Sequence, residues 1–187
     1  MMTIIPKDSY KIMPWKNGKG TTAEIAIGPE GAQFPNDFLW RFSSAEVSNN
    51  DPFSNFPGCD RLLMITQGAG LVLNGEELRP QRVLSFAGET LISAELIEGP
   101  IVDLGVIYQR DKIQAKMQIL NLSEAGTLDL KAGVHFIYCL RGMLKLGDHK
   151  IHAADTLRVD GSAQLELDGL NHSEYVCVSI SEKKKGP

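Results

Sequence analysis

The residues best equipped for chemistry in this 187-residue chain begin at Met13, in "MPWKNGKGTT" (13–22). The run sets an indole (Trp15), an ammonium (Lys16), an amide (Asn17) and two hydroxyls (Thr21, Thr22) side by side, with Glu24 just beyond. Its "GKGTT" core invites comparison with a phosphate-binding loop. Such a loop needs G-x-x-x-x-G-K-[ST] between a strand and a helix, so that backbone N–H groups cradle the phosphates. Here Gly20 follows Lys19, Met13 stands where the first Gly is required, and "TTAEIAIG" alternates as a strand does. The block is therefore not read as a nucleotide cradle. Its side chains suit a small polar acid. Trp15 offers a flat apolar wall with one N–H donor, Lys16 a cation, and Asn17 both a donor and an acceptor. Gly18 and Gly20 permit close backbone approach. The competing reading is a packing arm in which Trp15 caps a core.

A further cation, Arg41, follows Trp40 in "WRFSSAEV" (40–47); its alternative role is an ion pair with Glu46 or Glu24. His149 and His152 sit in a polar hairpin, on opposite faces of an extended strand, which is poor geometry for a metal pair. His172 lies in the polar "GLNHSEY" stretch and reads as solvated. No G-x-S-x-G nucleophile motif appears. The three cysteines include no C-x-x-C and make no disulfide framework; Cys139 and Cys177 stand in apolar runs as small core residues.

Composition narrows the partners. A net charge of −4 does not draw nucleic acid or an anionic membrane. "MMTIIPKDSY" lacks the apolar core of a signal peptide, and no apolar run approaches the ~18 residues of a membrane helix. The expectation is a cytoplasmic protein.

The elements that must position these residues are strands. "RLLMITQ" (61–67), "GLVLNG" (70–75), "VLSFAG" (83–88), "VDLGVIY" (102–108), "VHFIYCL" (134–140), "TLRVDG" (156–161) and "EYVCVSI" (174–180) all read as short strands between Gly and Pro turns. That spacing indicates a sandwich or barrel. "DKIQAKMQILNLSEAG" (111–126) has apolar residues at 113, 117 and 120, the spacing of a helical turn or of a crossover between two halves.

The chain also repeats itself. With one residue skipped near Gly70, 61–88 aligns with 135–161. Gly68 meets Gly142, Leu71 meets Leu144, Leu73 meets Leu146 and Leu78 meets Ile151. Leu84 then meets Leu157, Phe86 meets Val159 and Gly88 meets Gly161. The order of turns and apolar positions favours duplication. Two β units then follow, over 1–110 and 111–182, with 183–187 as a disordered tail around the Lys183–Lys185 run.

The repeat resembles the cupin pattern, most clearly in "LLMITQGAGLVLNGEELRPQRVLSFAG". The leading half resembles the HutD/Ves family of two-cupin proteins. "MPWKNGKGTTAEI" (13–25), "WRFSSAEV", "DPFSNFPGCDRLLMITQGAG" (51–70) and "FAGE" (86–89) follow that family's blocks in order. Lys19 replaces the middle Gly of its glycine triple, and Ala23 stands where Arg is common. The resemblance implies an all-β, double-barrel cupin (bicupin, jelly-roll-like) with little helix. It also implies a link to histidine utilisation, with formiminoglutamate or formylglutamate as ligand.

Metal-dependent cupins hold their ion with histidines and a glutamate. Aligned on that pattern, the glutamate position is Arg61 in the first copy and His135 in the second, and the later histidine positions are Leu91 and Gln164. No metal and no other cofactor is expected. A guanidinium cannot ligate a metal, but its planar fork pairs with a carboxylate. The expected ligand-binding set is Trp15, Lys16, Asn17, Thr22, Glu24, Arg41 and Arg61, with Phe53, Phe56 and Pro57 walling the pocket and His135 as a structural histidine. The expected function is metal-independent binding of a small acidic metabolite, with no nucleic-acid or membrane partner and with a homodimer compatible. The alternative is a metal-free cupin enzyme using Glu24, Glu46 or His135 as general acid–base, an isomerase, lyase or hydrolase of small carboxylic acids.

Overall fold

The structure is a computed structural model that describes residues 1–15, 20–122 and 124–184. The chain opens with β1 (Met2–Ile5), a 3-10 turn (Lys7–Ser9), β2 (Lys11–Pro14), β3 (Gly20–Gly28), β4 (Trp40–Val47) and β5 (Cys59–Gln67). Next come β6 (Leu71–Leu73), β7 (Glu76–Leu78), β8 (Val83–Ala87), β9 (Ala94–Leu96) and β10 (Ile101–Gln109). The remainder is β11 (Ile113–Leu122), β12 (Ala125–Leu130), β13 (Val134–Leu146), β14 (His149–His152), β15 (Thr156–Asp160) and β16 (Ala163–Glu182).

Two compact units result. The leading unit is Lys11–Ile113; the trailing unit joins Met1–Tyr10 to the chain from Gln114 onward. The expected boundaries, 1–110 and 111–182, differ from this chiefly at the N-terminus. β1 pairs antiparallel with β15, Ile4 opposite Leu157, so the first strand is an edge of the trailing unit's sheet. Tyr10 belongs there too, its hydroxyl 2.6 Å from the Ala154 carbonyl, to which it donates, and 2.7 Å from the Thr156 hydroxyl.

In the leading unit a six-stranded sheet runs β2-β3-β4-β10-β5-β8, and a three-stranded sheet runs β7-β6-β9. Val47, Leu63, Ile65 and Ile101 from the first sheet bury against Leu71, Leu73, Leu78 and Ala94 from the second. Apolar residues of alternate positions leave water here against the other sheet, while the opposite face of the six-stranded sheet, with Phe42, Leu62, Met64, Leu104 and Val106, is buried as well. Neither ladder closes on itself among the described residues, so the unit is a jelly-roll-like sandwich rather than a closed barrel.

The trailing unit's sheet runs β1-β15-β13-β16-β11, with β12 on β16 and β14 on β13. Its interior is apolar: Ile137, Cys139, Leu144, Ile151, Leu157, Leu165, Leu167 and Cys177 pack together. Two aligned pairs of the repeat occupy like environments, Leu71 with Leu144 and Leu78 with Ile151, all fully or almost fully buried; Leu84 and Phe86 are more open than their partners Leu157 and Val159.

The 111–126 stretch is not helical. Over β11, Ile113 and Met117 are buried and Ala115 and Ile119 half-buried, a period of two; polar neighbours at every even position through 118 confirm the strand. An apolar spacing of four satisfies both periods, which is why 113 and 117 alone suggested a helix. Lys183 and Lys184 are exposed; the tail expected over 185–187 lies outside the described residues.

Candidate functional site

Directly opposed residues of an antiparallel pair share a face, so register alone assembles a polar band. Arg61 on β5 lies opposite Ile107 on β10 and Phe86 on β8; Leu63 lies opposite Gly105, and Ile65 opposite Asp103. On β4, Arg41, Ser43 and Ala45 face Ile107, Gly105 and Asp103 in turn. On β3, Glu24 lies opposite Ser43, and Thr22 opposite Ala45. Leu63, Ile65, Val47 and Ile101 on this same face belong to the core, so the face points inward. Thr22, Glu24, Arg41, Ser43, Arg61 and Asp103 therefore project into the interior of the leading unit.

Arg61 is half-buried and stands among phenyl rings. Its Cζ lies 4.9 Å from the centroid of Phe53, 5.2 Å from Phe86 and 5.7 Å from Phe56. Ring faces are negative, so they hold a guanidinium in place without consuming its charge. One Nη donates to the Ser54 carbonyl at 3.3 Å. Arg61 makes no close ion pair among the described residues. Burial lowers its pKa, and the charge of Asp103 raises it again; an arginine stays protonated throughout.

Its neighbour in sequence, Asp60, does not neutralise it. Successive strand residues point to opposite faces. Asp60 accordingly pairs with Arg110 Nε at 3.1 Å, and Arg110 also binds Glu89 closely.

Arg41 and Glu24 satisfy each other: Nε donates to Oε2 at 2.8 Å. Arg41 also stacks on Phe34, its Cζ 4.3 Å from the ring centroid. Phe34 touches Phe56, centroids 5.2 Å apart, so one aromatic pair separates the two guanidinium groups. Trp15 Nε1 donates to Thr22 Oγ1 at 2.8 Å. Gly20 makes room for that indole, because a Cβ there would sit 2.9 Å from the ring and 2.7 Å from the Glu46 carbonyl. Lys16 and Asn17, expected beside Trp15, lie outside the described residues.

Sequence reading passed over Asp103. It is buried, its Oδ1 accepting the Ala45 N–H at 3.1 Å. Burial pushes its carboxyl up to about 7, against the pull of the Arg61 charge and of that N–H. A charged residue inside "IVDLGVIY" was the available signal, since a buried strand rarely carries one. Ser43, Phe34 and Phe86 were also missed as site residues: register sets Ser43 beside Glu24 and Phe86 beside Arg61, and the loop before β4 lays Phe34 against Arg41.

A cleft of about 500 Å³ opens at the aromatic end of the unit, lined by Phe38, Phe56, Pro57, Cys59, Gln109 and Lys112. It shares Phe56 with the Arg61 wall, but neither arginine of the band lines it. The geometry of the band, not that cleft, defines the candidate site.

The other expected polar residues lie elsewhere. Glu46 is exposed, on the opposite face of β4 from Arg41. His135 is buried in the trailing unit, Nε2 2.7 Å from the Lys131 carbonyl and Nδ1 2.9 Å from Ser179 Oγ. A carbonyl only accepts, so Nε2 is assigned the hydrogen. Among the described residues no group of three or more His, Cys, Asp or Glu gathers as a metal would need. The band itself does not fit the divalent ion of metal-dependent cupins: it carries two arginines, and Glu24 is engaged by one of them.

A family model described as HutD matches residues 7–177. Protein Ves of Citrobacter koseri is 33% identical over 147 residues, covering 75% of this chain and 73% of that protein. An uncharacterised 21.2 kDa protein in the hutC 3′ region of Pseudomonas putida is 30% identical over 177 residues, covering 88% and 90%. Among solved structures, HutD from Pseudomonas fluorescens SBW25, described as a formate condition, superposes with a TM-score of 0.85 at 27% identity, covering 98% of this chain and 100% of that one. YhhW from Escherichia coli, only 9% identical at a TM-score of 0.68, shares the fold alone. The fold is that of the cupins.

Proposed function

Because the chain belongs to the HutD family, which is linked to the histidine-utilisation locus, we propose that its leading unit is a metal-independent receptor for a small carboxylic acid. One observation carries this reading. Arg61 is an inward-facing guanidinium, fixed by three phenyl rings and free of any close ion pair among the described residues. A fixed fork of that kind suits a carboxylate, and a charge-assisted hydrogen bond contributes about 1.5–3 kcal/mol. Burial strengthens the pairing by excluding competing water.

The rest of the band suits the remainder of an acid. Thr22 and Ser43 offer hydroxyls, and Asp103 a carboxyl group. Formiminoglutamate and formylglutamate have this shape: carboxylates for the cation and a polar tip for the hydroxyl side. A regulatory or sequestering role follows from binding without turnover. Of the groups an enzyme reading relied on, Glu24 is held by Arg41, Glu46 is exposed, and His135 belongs to the trailing unit with both ring nitrogens occupied.

Thermal melting against formate, glutarate, formylglutamate and formiminoglutamate tests the proposal. At about 100-fold excess over Kd, a true ligand adds roughly 2.7 kcal/mol, about 5–10 °C for a chain of this size. No shift with any of the four acids, or an equal shift in Arg61→Ala, rejects it. Product detected by NMR would instead select the enzyme.

A further inference from the structure

Asp103 and Arg61 are buried or half-buried on one inward face, yet they do not touch. Asp103 lies on the Ile65 rung, Arg61 on the Ile107 rung, and the rung between them carries Gly105 and Leu63. Gly105 contributes no side chain to that gap. It does not need to be glycine for its backbone, since a Cβ there would meet only the Leu62 carbonyl at 3.6 Å and Leu63 Cδ1 at 4.0 Å, ordinary contacts. Asp103 is held by the Ala45 N–H and has no guanidinium in contact among the described residues. It thus feels Arg61 as a positive charge out of contact, beyond the rung that carries Gly105 and the buried Leu63.

We propose that Asp103 is the internal counter-ion of Arg61, and that an acid binding at Arg61 takes over that role and drives one proton from solvent onto the Asp103 carboxylate. The inference rests on the acid-binding reading above and adds its proton linkage. The charge balance is simple. An anion arriving at Arg61 cancels the positive potential that keeps Asp103 ionised, and sets a second negative charge in the same poorly solvated interior. Two buried carboxylates sharing one cation favour protonation of one. Arg41 does not supply the missing charge, because Glu24 already pairs with it at 2.8 Å. Besides Asp103, the charged groups on this face among the described residues are Glu24 from β3, Arg41 from β4, Arg61 from β5 and, at the exposed edge opposite Glu24, Lys11 from β2. The facing sheet contributes Leu71, Leu73 and Ala94, all apolar. The carboxyl of Asp103, pushed up to about 7 by burial, is already poised to titrate near neutrality.

Calorimetric titration of the full chain with glutarate and with formate, each in two buffers of different ionisation heat, reads the proton directly. The expected result is uptake of close to one proton per acid at pH 8 and about half at pH 7, with affinity falling about tenfold from pH 6 to pH 8. Asp103→Asn, which keeps an oxygen for the Ala45 N–H, should bind with no proton uptake and no pH dependence over that range. A measurement on the unaltered chain guards against a misfolded variant: the ¹³C carboxyl titration of Asp103 should move to higher pH when glutarate saturates the protein. Binding without uptake, proton release, or an unmoved Asp103 titration overturns the proposal while leaving acid binding intact. Undiminished binding in Arg61→Ala, or no binding by the unaltered chain, overturns both.

Discussion

Arg41 Nε donates to Glu24 Oε2 at 2.8 Å, and the two side chains are only 8% and 10% exposed. Register explains the meeting. β3 and β4 pair through a shift between Glu24 and Ala26, which puts Glu24 opposite Ser43 and Ile27 opposite Arg41. The pair divides the two inward-facing arginines of the leading unit into one already neutralised and one, Arg61, still available.

Glu24→Gln is therefore expected to behave as a stability variant. It leaves Arg41 buried without its carboxylate, a change that costs about 3–5 kcal/mol. For this chain length the melting temperature should drop on the order of 10 °C. Differential scanning calorimetry checks it; a loss under about 1 kcal/mol means solvent reaches Arg41.

Arg61 should show the converse. Arg61→Ala removes no close ion pair among the described residues, so the fold should still melt cooperatively while the acid-induced shift disappears. Arg61→Lys keeps the charge but loses the planar fork and its stacking on Phe53, Phe86 and Phe56. It should retain weakened binding, about tenfold poorer, measured by the same titrations.

Asp103 should leave a signature in the ligand-free protein. Its folded pKa, about 7, lies above the unfolded value of 3.8. The native state therefore holds this proton where the unfolded state has lost it. The stabilisation from that proton is fully present below the unfolded pKa and is lost as pH rises through about 7. The slope reaches about 1.4 kcal/mol per pH unit between those limits. Urea unfolding of the parent and of Asp103→Asn between pH 4.5 and 7.5 should differ by this trend. Parallel pH profiles would show that Asp103 titrates normally.

His135 separates structure from binding in the opposite sense. His135→Phe strips the Lys131 carbonyl and Ser179 hydroxyl of their buried partner, at a cost of about 1–3 kcal/mol. Acid binding, assigned to the leading unit, should keep its affinity. A tenfold change in Kd for glutarate would mean that His135 takes part in binding.

Much of the fold was legible along the chain because alternation is a local property. "RLLMITQ", "VLSFAG" and "VDLGVIY" all became strands near their expected limits. Very short strands such as β2 and β7 escaped, as they span too few residues to show a period. Trp15, Thr22, Glu24, Arg41 and Arg61 were each picked out by residue type and by family resemblance. What alternation could not say was which face of β5 looks inward, since Arg61, Leu63 and Ile65 compete with Leu62, Met64 and Thr66, and both sets are partly apolar.

By itself the sequence determined an all-β chain and a repeated strand pattern, and the cupin resemblance singled out Arg61 by aligning it with a metal-ligand position. Only the tertiary structure decided that Arg61 faces inward, that Arg41 is paired with Glu24, and that Asp103 stands beyond the Gly105–Leu63 rung from Arg61. It also carried β1 to the trailing unit. The physical reason is the range of the interactions. Periodicity and turn chemistry act over a few residues, whereas register joins strands some forty residues apart in the chain, as β5 and β10 are. The charge state of a buried carboxyl depends on every group that register brings to its face.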